Sequence, residues 1–192
     1  VTADHRPVDH DRPESGAAHD RLAPVGEADY RSAMARFASG VTIVTTCLDG
    51  VDHAMTASAF TSVSLSPPLV LVCVEKIARF HPAVLSAGTW AVSVLTDDAH
   101  QVATRLARRG RPLHGQLDGI PVHRGRTGAA LLSAAAARLE CRTVAVHDGG
   151  DHSIVVGEVV GTDVPADPAP ALVYYAGGYH AVGARADPEL QV

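Results

Sequence analysis

The chain is poor in cysteine, and Cys47, Cys73 and Cys141 are odd in number, far apart and set in apolar runs. That pattern excludes a disulfide framework and points to buried free thiols in a reducing cytoplasm. No CxxC or close Cys/His set exists, so no metal site is expected. There is no run of about 18 apolar residues, which removes a helical membrane span, and the polar N-terminus lacks the apolar stretch of a signal peptide. No GxGxxG fingerprint joins a strand to a helix, which argues against a Rossmann site. Neither a Ser/His/Asp set nor a pair of acid–base carboxylates stands out. Lysine is almost missing: Lys76 is alone among the 16 Lys and Arg. The net charge is −5, and positions 1–29 hold seven acids against three bases, leaving the remainder near −1. No basic field is left to attract nucleic acid.

What the chain does have is a polar start without apolar periodicity and a long body of apolar runs. Residues 1–27 carry prolines, histidines and scattered charge without apolar periodicity, and read as a disordered tail. Residues 28–183 read as one domain, with 184–192 as a second tail. Tyr30, Met34 and Phe37 share one helical face, predicting an amphipathic helix over Ala28–Ser39 stopped by Gly40. Asp49-Gly50 is a hairpin signal between Val41–Leu48 and a strand near His53–Ala57. Further strands are expected at Phe60–Leu65, Leu69–Glu75 and Trp90–Leu95. Short helices are expected at Pro82–Ala87 and Asp98–Arg109, the latter with Val102 and Leu106 inward. Leu113–Leu132 is Gly-rich and reads as a surface-crossing loop. A long strand from about Ala137 to His147 turns through DGGD into Ile154–Val164, and Ala171–Tyr175 is the last strand. Many short strands and few helices predict a mainly β barrel.

The segment from Met55 to Ser66 is unusual, because Thr56, Ser58, Thr61, Ser62, Ser64 and Ser66 interleave with Ala57, Ala59 and Phe60 almost without charge. Small and hydroxyl side chains let a backbone approach a flat, phosphate-bearing ligand. A Ser/Thr-rich strand and turn would look the same.

The order YRSAMARFASGVTIVTT, a DG turn, MTASAFTSVSLSPPLVLVCV, GGDHSIVVGEV and ALVYYAGGYHAVG resembles the flavin reductase family. More narrowly, it resembles the NADH:flavin oxidoreductase components of two-component flavin-dependent monooxygenases. The resemblance implies a flavin-binding split β-barrel with a few peripheral helices, a homodimer, FAD or FMN and NADH as cofactors, and a partner oxygenase fed with released reduced flavin. It places flavin contacts on Thr42, Ile43 and Val44, on Met55, Thr56, Ala57, Ser58, Ala59 and Phe60, and on Ser62, Ser64, Glu75 and Lys76. Arg79, His81 and the late aromatic Tyr179 are further contacts. Glu75 departs from the family pattern, since a carboxylate there would repel phosphate. Gly150, Asp151 and His152 match the segment that binds NADH, with His152 as the catalytic candidate that positions nicotinamide and Asp151 serving the turn. NADH is expected over NADPH, because the arginines at 105, 108, 109 and 111 lie far along the chain from His152. The competing reading is a non-catalytic flavin- or haem-binding split-barrel protein.

Overall fold

The computed structural model describes residues 23–166 and 169–182. Most of the expected N-terminal tail and the whole of the C-terminal one lie outside the described residues. The chain divides into two units at Met34/Ala35. In the first, α1 (Glu27–Met34) carries an Arg31–Glu27 ion pair of 2.7 Å and buries none of its residues. The second holds β1 (Ser39–Gly40), β2 (Thr42–Leu48), β3 (Val51–Ala57), β4 (Phe60–Leu65), β5 (Pro68–Glu75), α2 (Phe80–Ala87), β6 (Thr89–Leu95) and α3 (His100–Ala107). The remaining strands are β7 (Val122–Arg124), β8 (Ala130–Leu132), β9 (Ala135–Gly149), β10 (His152–Asp163), β11 (Leu172–Tyr175) and β12 (Gly178–Ala181).

Asp49 and Gly50 adopt φ of 51° and 76°, the left-handed pair that turns β2 into β3. Seven antiparallel strands then run in the order β3-β2-β6-β9-β10-β5-β4. The outermost strands, β3 and β4, are joined only by Ser58 and Ala59. Laid flat, six strand spacings would hold those edges about 29 Å apart. The link from Ala57 to Phe60 reaches at most about 11 Å. The sheet must therefore curl until its edges approach, and they do so without a hydrogen-bonded seam. The result is a split barrel.

Both faces of β2 are covered, which is why it reads as a continuous β-branched run rather than an apolar/polar alternation. Val44 joins Val70, Val72, Val74, Trp90 and Val155 inside the curl, plugged by Phe80 and Val84 of α2. Ile43 points the other way, onto Ala103 and Leu106 of α3 with Leu117, Leu132 and Leu172. In β5 and β10 the buried positions alternate, Val70, Val72 and Val74 facing Ser153, Val155 and Gly157. That alternation turns Cys73, Glu75 and His152 to the opposite face.

Several expected boundaries change. The first helix ends at Met34 rather than Ser39, because Ser39 and Gly40 pair with Tyr174 and Val173 of β11. Ala35 O is already taken by the Ala176 N–H at 2.8 Å. Leu113–Leu132 is no surface loop: β7 and β8 form a hairpin there, and Leu117 and 129–132 are buried. GGYH is itself a strand, β12, paired with β11. Among the described residues no helix is long and apolar enough to cross a membrane, and no three His, Cys, Asp or Glu are placed to hold a metal.

Candidate active site

A cavity of about 400 Å3 opens where the sheet edges converge. One wall is β3 from His53 to Ala57 with the exposed link Ser58–Ala59; a second is Cys73, Glu75 and the turn 77–80 after β5. The third is the C-terminal end of α3 and the loop Arg108–Arg111, with Gln116 behind it and His152 from the β9–β10 hairpin. His152 lies directly across from Glu75 in the β10–β5 ladder.

The edge strand β3 is braced from this third wall. Gln116 accepts the Ala54 N–H at 3.1 Å, and Arg111 donates to the Ala54 carbonyl at 2.7 Å. The Thr56 hydroxyl donates to the Ala103 carbonyl at 2.7 Å, so it is spent on α3. Arg111 also bonds the Leu106 carbonyl, a helix-end acceptor that lacks an intrahelical partner. Burial, and then the nearby Arg79 and Arg105, lowers the Arg111 pKa. His53 is buried with Nδ1 unpartnered; burial lowers its pKa, Asp52 pulls it back up and His114 pushes it down. Burial also raises the Cys73 thiol.

Of the residues expected at a ligand, the structure gathers Met55, Thr56, Ala57, Ser58, Ala59, Glu75, Arg79 and His152 around this cavity. Others it places elsewhere. Thr42, Ile43 and Val44 are at most 3% exposed, paired to β3 and β6 and enclosed by both core clusters, so their side chains have no free surface. Phe60 packs onto the inner core. Ser62 and Ser64 sit on the open edge β4, outside the cavity lining. Lys76 is not free for phosphate: its ammonium pairs with Asp148 and donates to the Gly150 carbonyl at 2.6 Å, clamping the hairpin that carries His152. His81 shares a 2.9 Å hydrogen bond with Ser153. Gly150 forms the turn at φ 75°. Asp151 does more than cap the turn, since its carboxylate meets His152 Nδ1 at 2.7 Å and is held below its ordinary pKa by that imidazole. Tyr179 packs with the outer core, edge-on to Tyr174 at 5.6 Å, away from the cavity.

The misfit at Glu75 resolves here: Arg109 donates to both its carboxylate oxygens, at 2.7 and 3.0 Å. The same observation overturns the distance argument for NADH. Arg108, Arg109 and Arg111 line the cavity that also holds His152, so separation along the chain was no guide. Sequence reasoning also missed Gln116 and His53, for which composition and periodicity gave no signal.

Residues 34–183 match the family described as "flavin reductase like domain". The chain is 41% identical over 150 residues to the reductase component of 4-hydroxyphenylacetate 3-monooxygenase of Thermus thermophilus, covering 78% of this chain and 93% of the relative. It is 39% identical to the FMN reductase (NADH) SmoA of Agrobacterium fabrum, over 72% of this chain and 79% of that protein. Among solved structures it resembles BorF, the flavin reductase component of a bacterial two-component tryptophan halogenase. There the TM-score is 0.78 at 44% identity, over 83% of this chain and all of that one. The NADH:FAD oxidoreductase of Streptomyces globisporus C-1027, solved with NAD and FAD fragments, gives a TM-score of 0.78 at 35% identity, over 86% and 100%.

Proposed function

This chain belongs to the flavin reductase-like family, and we propose that it reduces FAD or FMN with NADH and releases the reduced flavin to a partner flavin-dependent monooxygenase. The observation that carries this is convergence. The small, polar 55–59 strip and His152, nearly a hundred positions apart, line one cavity. The strip suits a flat ring: Ala57, Ser58 and Ala59 are small, and Ser58 and Ala59 are exposed. Flavin brings the electron acceptor and NADH the hydride, so this chain's task is to bind and orient them. With Nδ1–H donated to Asp151, His152 keeps Nε2 as an acceptor for a carboxamide N–H. Lys76 and Asp148 steady the hairpin that carries it.

A homodimer fits the open edge β4, where Val63 is 50% and Leu65 93% exposed. Such a contact would bring Ser62 and Ser64 toward a shared flavin site. The reductase body is taken as residues 28–183, and free Cys47, Cys73 and Cys141 suit a cytoplasmic setting. The test is anaerobic mixing of protein, flavin and NADH. Absorbance near about 450 nm should bleach with turnover. Retained absorbance with flavin bound would mean a binding protein without turnover.

A further inference from the structure

The tip of the β9–β10 hairpin, which carries His152, has little of its own to hold it. Pairing of β9 with β6 ends at Arg142, and beyond that residue β9 pairs only with β10. Residues 147–151 are all exposed, and Gly150 turns at φ 75°. Two successive glycines leave such a turn a wide choice of backbone conformations. What fixes it is one residue at the end of the neighbouring strand. The Lys76 N–H donates to the Asp151 carbonyl at 2.9 Å, one residue beyond the His152–Glu75 pair of the ladder. The Lys76 ammonium pairs with the Asp148 carboxylate and donates to the Gly150 carbonyl at 2.6 Å. Three acceptors of the tip thus converge on Lys76. Its ammonium, helped by the Gly150 N–H, holds the Asp148 carboxyl below its ordinary pKa. Asp151 in turn meets His152 Nδ1 at 2.7 Å, so the chain of contacts ends on the imidazole.

Lys76 does not line the cavity, whereas His152 does. The flavin strip is secured by other groups, Gln116 and Arg111 at Ala54 and the Ala103 carbonyl at Thr56. Lys76 is also the chain's only lysine. Acceptors that meet at one point suit an ammonium, whose donors radiate from a single nitrogen, better than a planar guanidinium.

We propose that Lys76 and Asp148 are positioning residues for the hydride donor: they latch the hairpin so that His152 presents Nε2 to the nicotinamide, and they govern NADH use without governing flavin binding. The inference rests on the flavin-reductase reading, and it assigns the one lysine of this chain to the nicotinamide side of the reaction.

The variants are Lys76→Met, Asp148→Asn and the two combined, with Lys76→Arg keeping the charge. KM is measured for NADH at saturating flavin and for flavin at saturating NADH, and amide hydrogen exchange is followed over residues 148–152. Each single variant should raise KM for NADH about five-fold, with kcat and KM for flavin within about two-fold of wild type. Exchange over 148–152 should quicken while that of β2 stays unchanged. The combined variant should be no worse than Lys76→Met, because the two residues share one interaction, and Lys76→Arg should recover part of the loss. KM for NADH within about two-fold of wild type in both single variants would overturn the proposal and leave the pair a surface contact. A rise in KM for flavin as large as that for NADH would overturn it too, placing Lys76 at the flavin. If the wild-type protein oxidises no NADH with any flavin, the functional reading fails and the nicotinamide role falls with it, while hydrogen exchange still shows whether Lys76 holds the tip.

Discussion

Glu75 and Arg109 should act on nucleotide binding with opposite signs. Their side chains are 29% and 78% exposed, so as a structural bond the pair contributes at most about 1 kcal/mol. Removing either partner should move Tm by no more than about 4 °C. The effect on a phosphorylated substrate is different, because the two charges cancel only while both are present. A unit charge about 7 Å from a phosphate, at an effective dielectric of about 50, is worth about 1 kcal/mol, or about five-fold in binding. Glu75→Gln should therefore lower KM for FAD by about that factor, and Arg109→Gln should raise it by as much. The double variant should return close to wild type, and riboflavin, which lacks phosphate, should barely respond. At about 1 M salt the Debye length shrinks to about 3 Å and both effects should fade. Steady-state NADH oxidation at low and high salt measures all of this. If both single variants raise KM for FAD and riboflavin alike, the pair is a geometric brace and the electrostatic reasoning is wrong.

His152→Ala should raise KM for NADH by about one decade while flavin affinity stays near wild type, and His152→Asn should recover part of the loss; equal changes for both substrates would place His152 at the flavin. Gly157→Ala should destabilise the fold by about 1–3 kcal/mol, since a Cβ there would lie 2.5 Å from Trp90 Cζ2 and 3.0 Å from Cys141 Cβ. Chemical denaturation followed by Trp90, the sole tryptophan, reads that change, and an unaltered midpoint would refute the packing. Cys141 is fully buried with its thiol pKa pushed up to about 12, so a thiol reagent should label native protein at Cys47 and Cys73 and leave Cys141 untouched. For His53 the folded pKa lies below the ordinary 6.5 because of burial. The unfolded chain then takes up its proton first, and stability should fall as pH drops from about 6.5 toward the folded value. His53→Gln should flatten that part of the urea-midpoint profile between about pH 7.5 and 5.5, and an unchanged slope would remove His53 as the cause.

Strand periodicity is a local property, and it placed β5 and β10 correctly to within a few residues. Their alternation also turns Cys73, Glu75 and His152 to one side, so part of the site was written into the pattern. The polar strip after Met55 was equally legible, because small hydroxyl residues in a strand are visible without a partner. The third wall was not. Gln116 and Arg111 reach the cavity only because α3 packs on β3 and the 113–132 segment folds back into the core, contacts that no window of sequence contains. Lys76 shows the same difficulty in reverse. Lys76, expected at the flavin, is instead taken by the β9–β10 hairpin that folds over it. The helix over 28–39 was overrun because periodicity could not know that Ser39 and Gly40 would be claimed by β11, far along the chain.

The split in the barrel is what makes the cavity chemically useful. A closed barrel would pair every main-chain group of β3 with β4 and leave nothing for a ligand. Here β3 is paired on one side only, and Ala54 shows which groups face outward, since its N–H and C=O are met by Gln116 and Arg111 rather than by another strand. Strand geometry repeats every second residue, so the main chain of Thr56 faces the same way, toward the exposed Ser58 and Ala59. Those edge groups are fixed in space by β2 behind them and offer a ready line of donors and acceptors to the polar rim of a flat ring. Binding through the main chain of an open edge asks for small side chains rather than particular ones, which is why the strip carries alanine and serine. It also leaves the ligand beside solvent, as a site must if reduced flavin is to leave it for another protein. On the proposed function, the side chains are left to steady the nicotinamide, a task for which His152 stands in the cavity lining beside the strip.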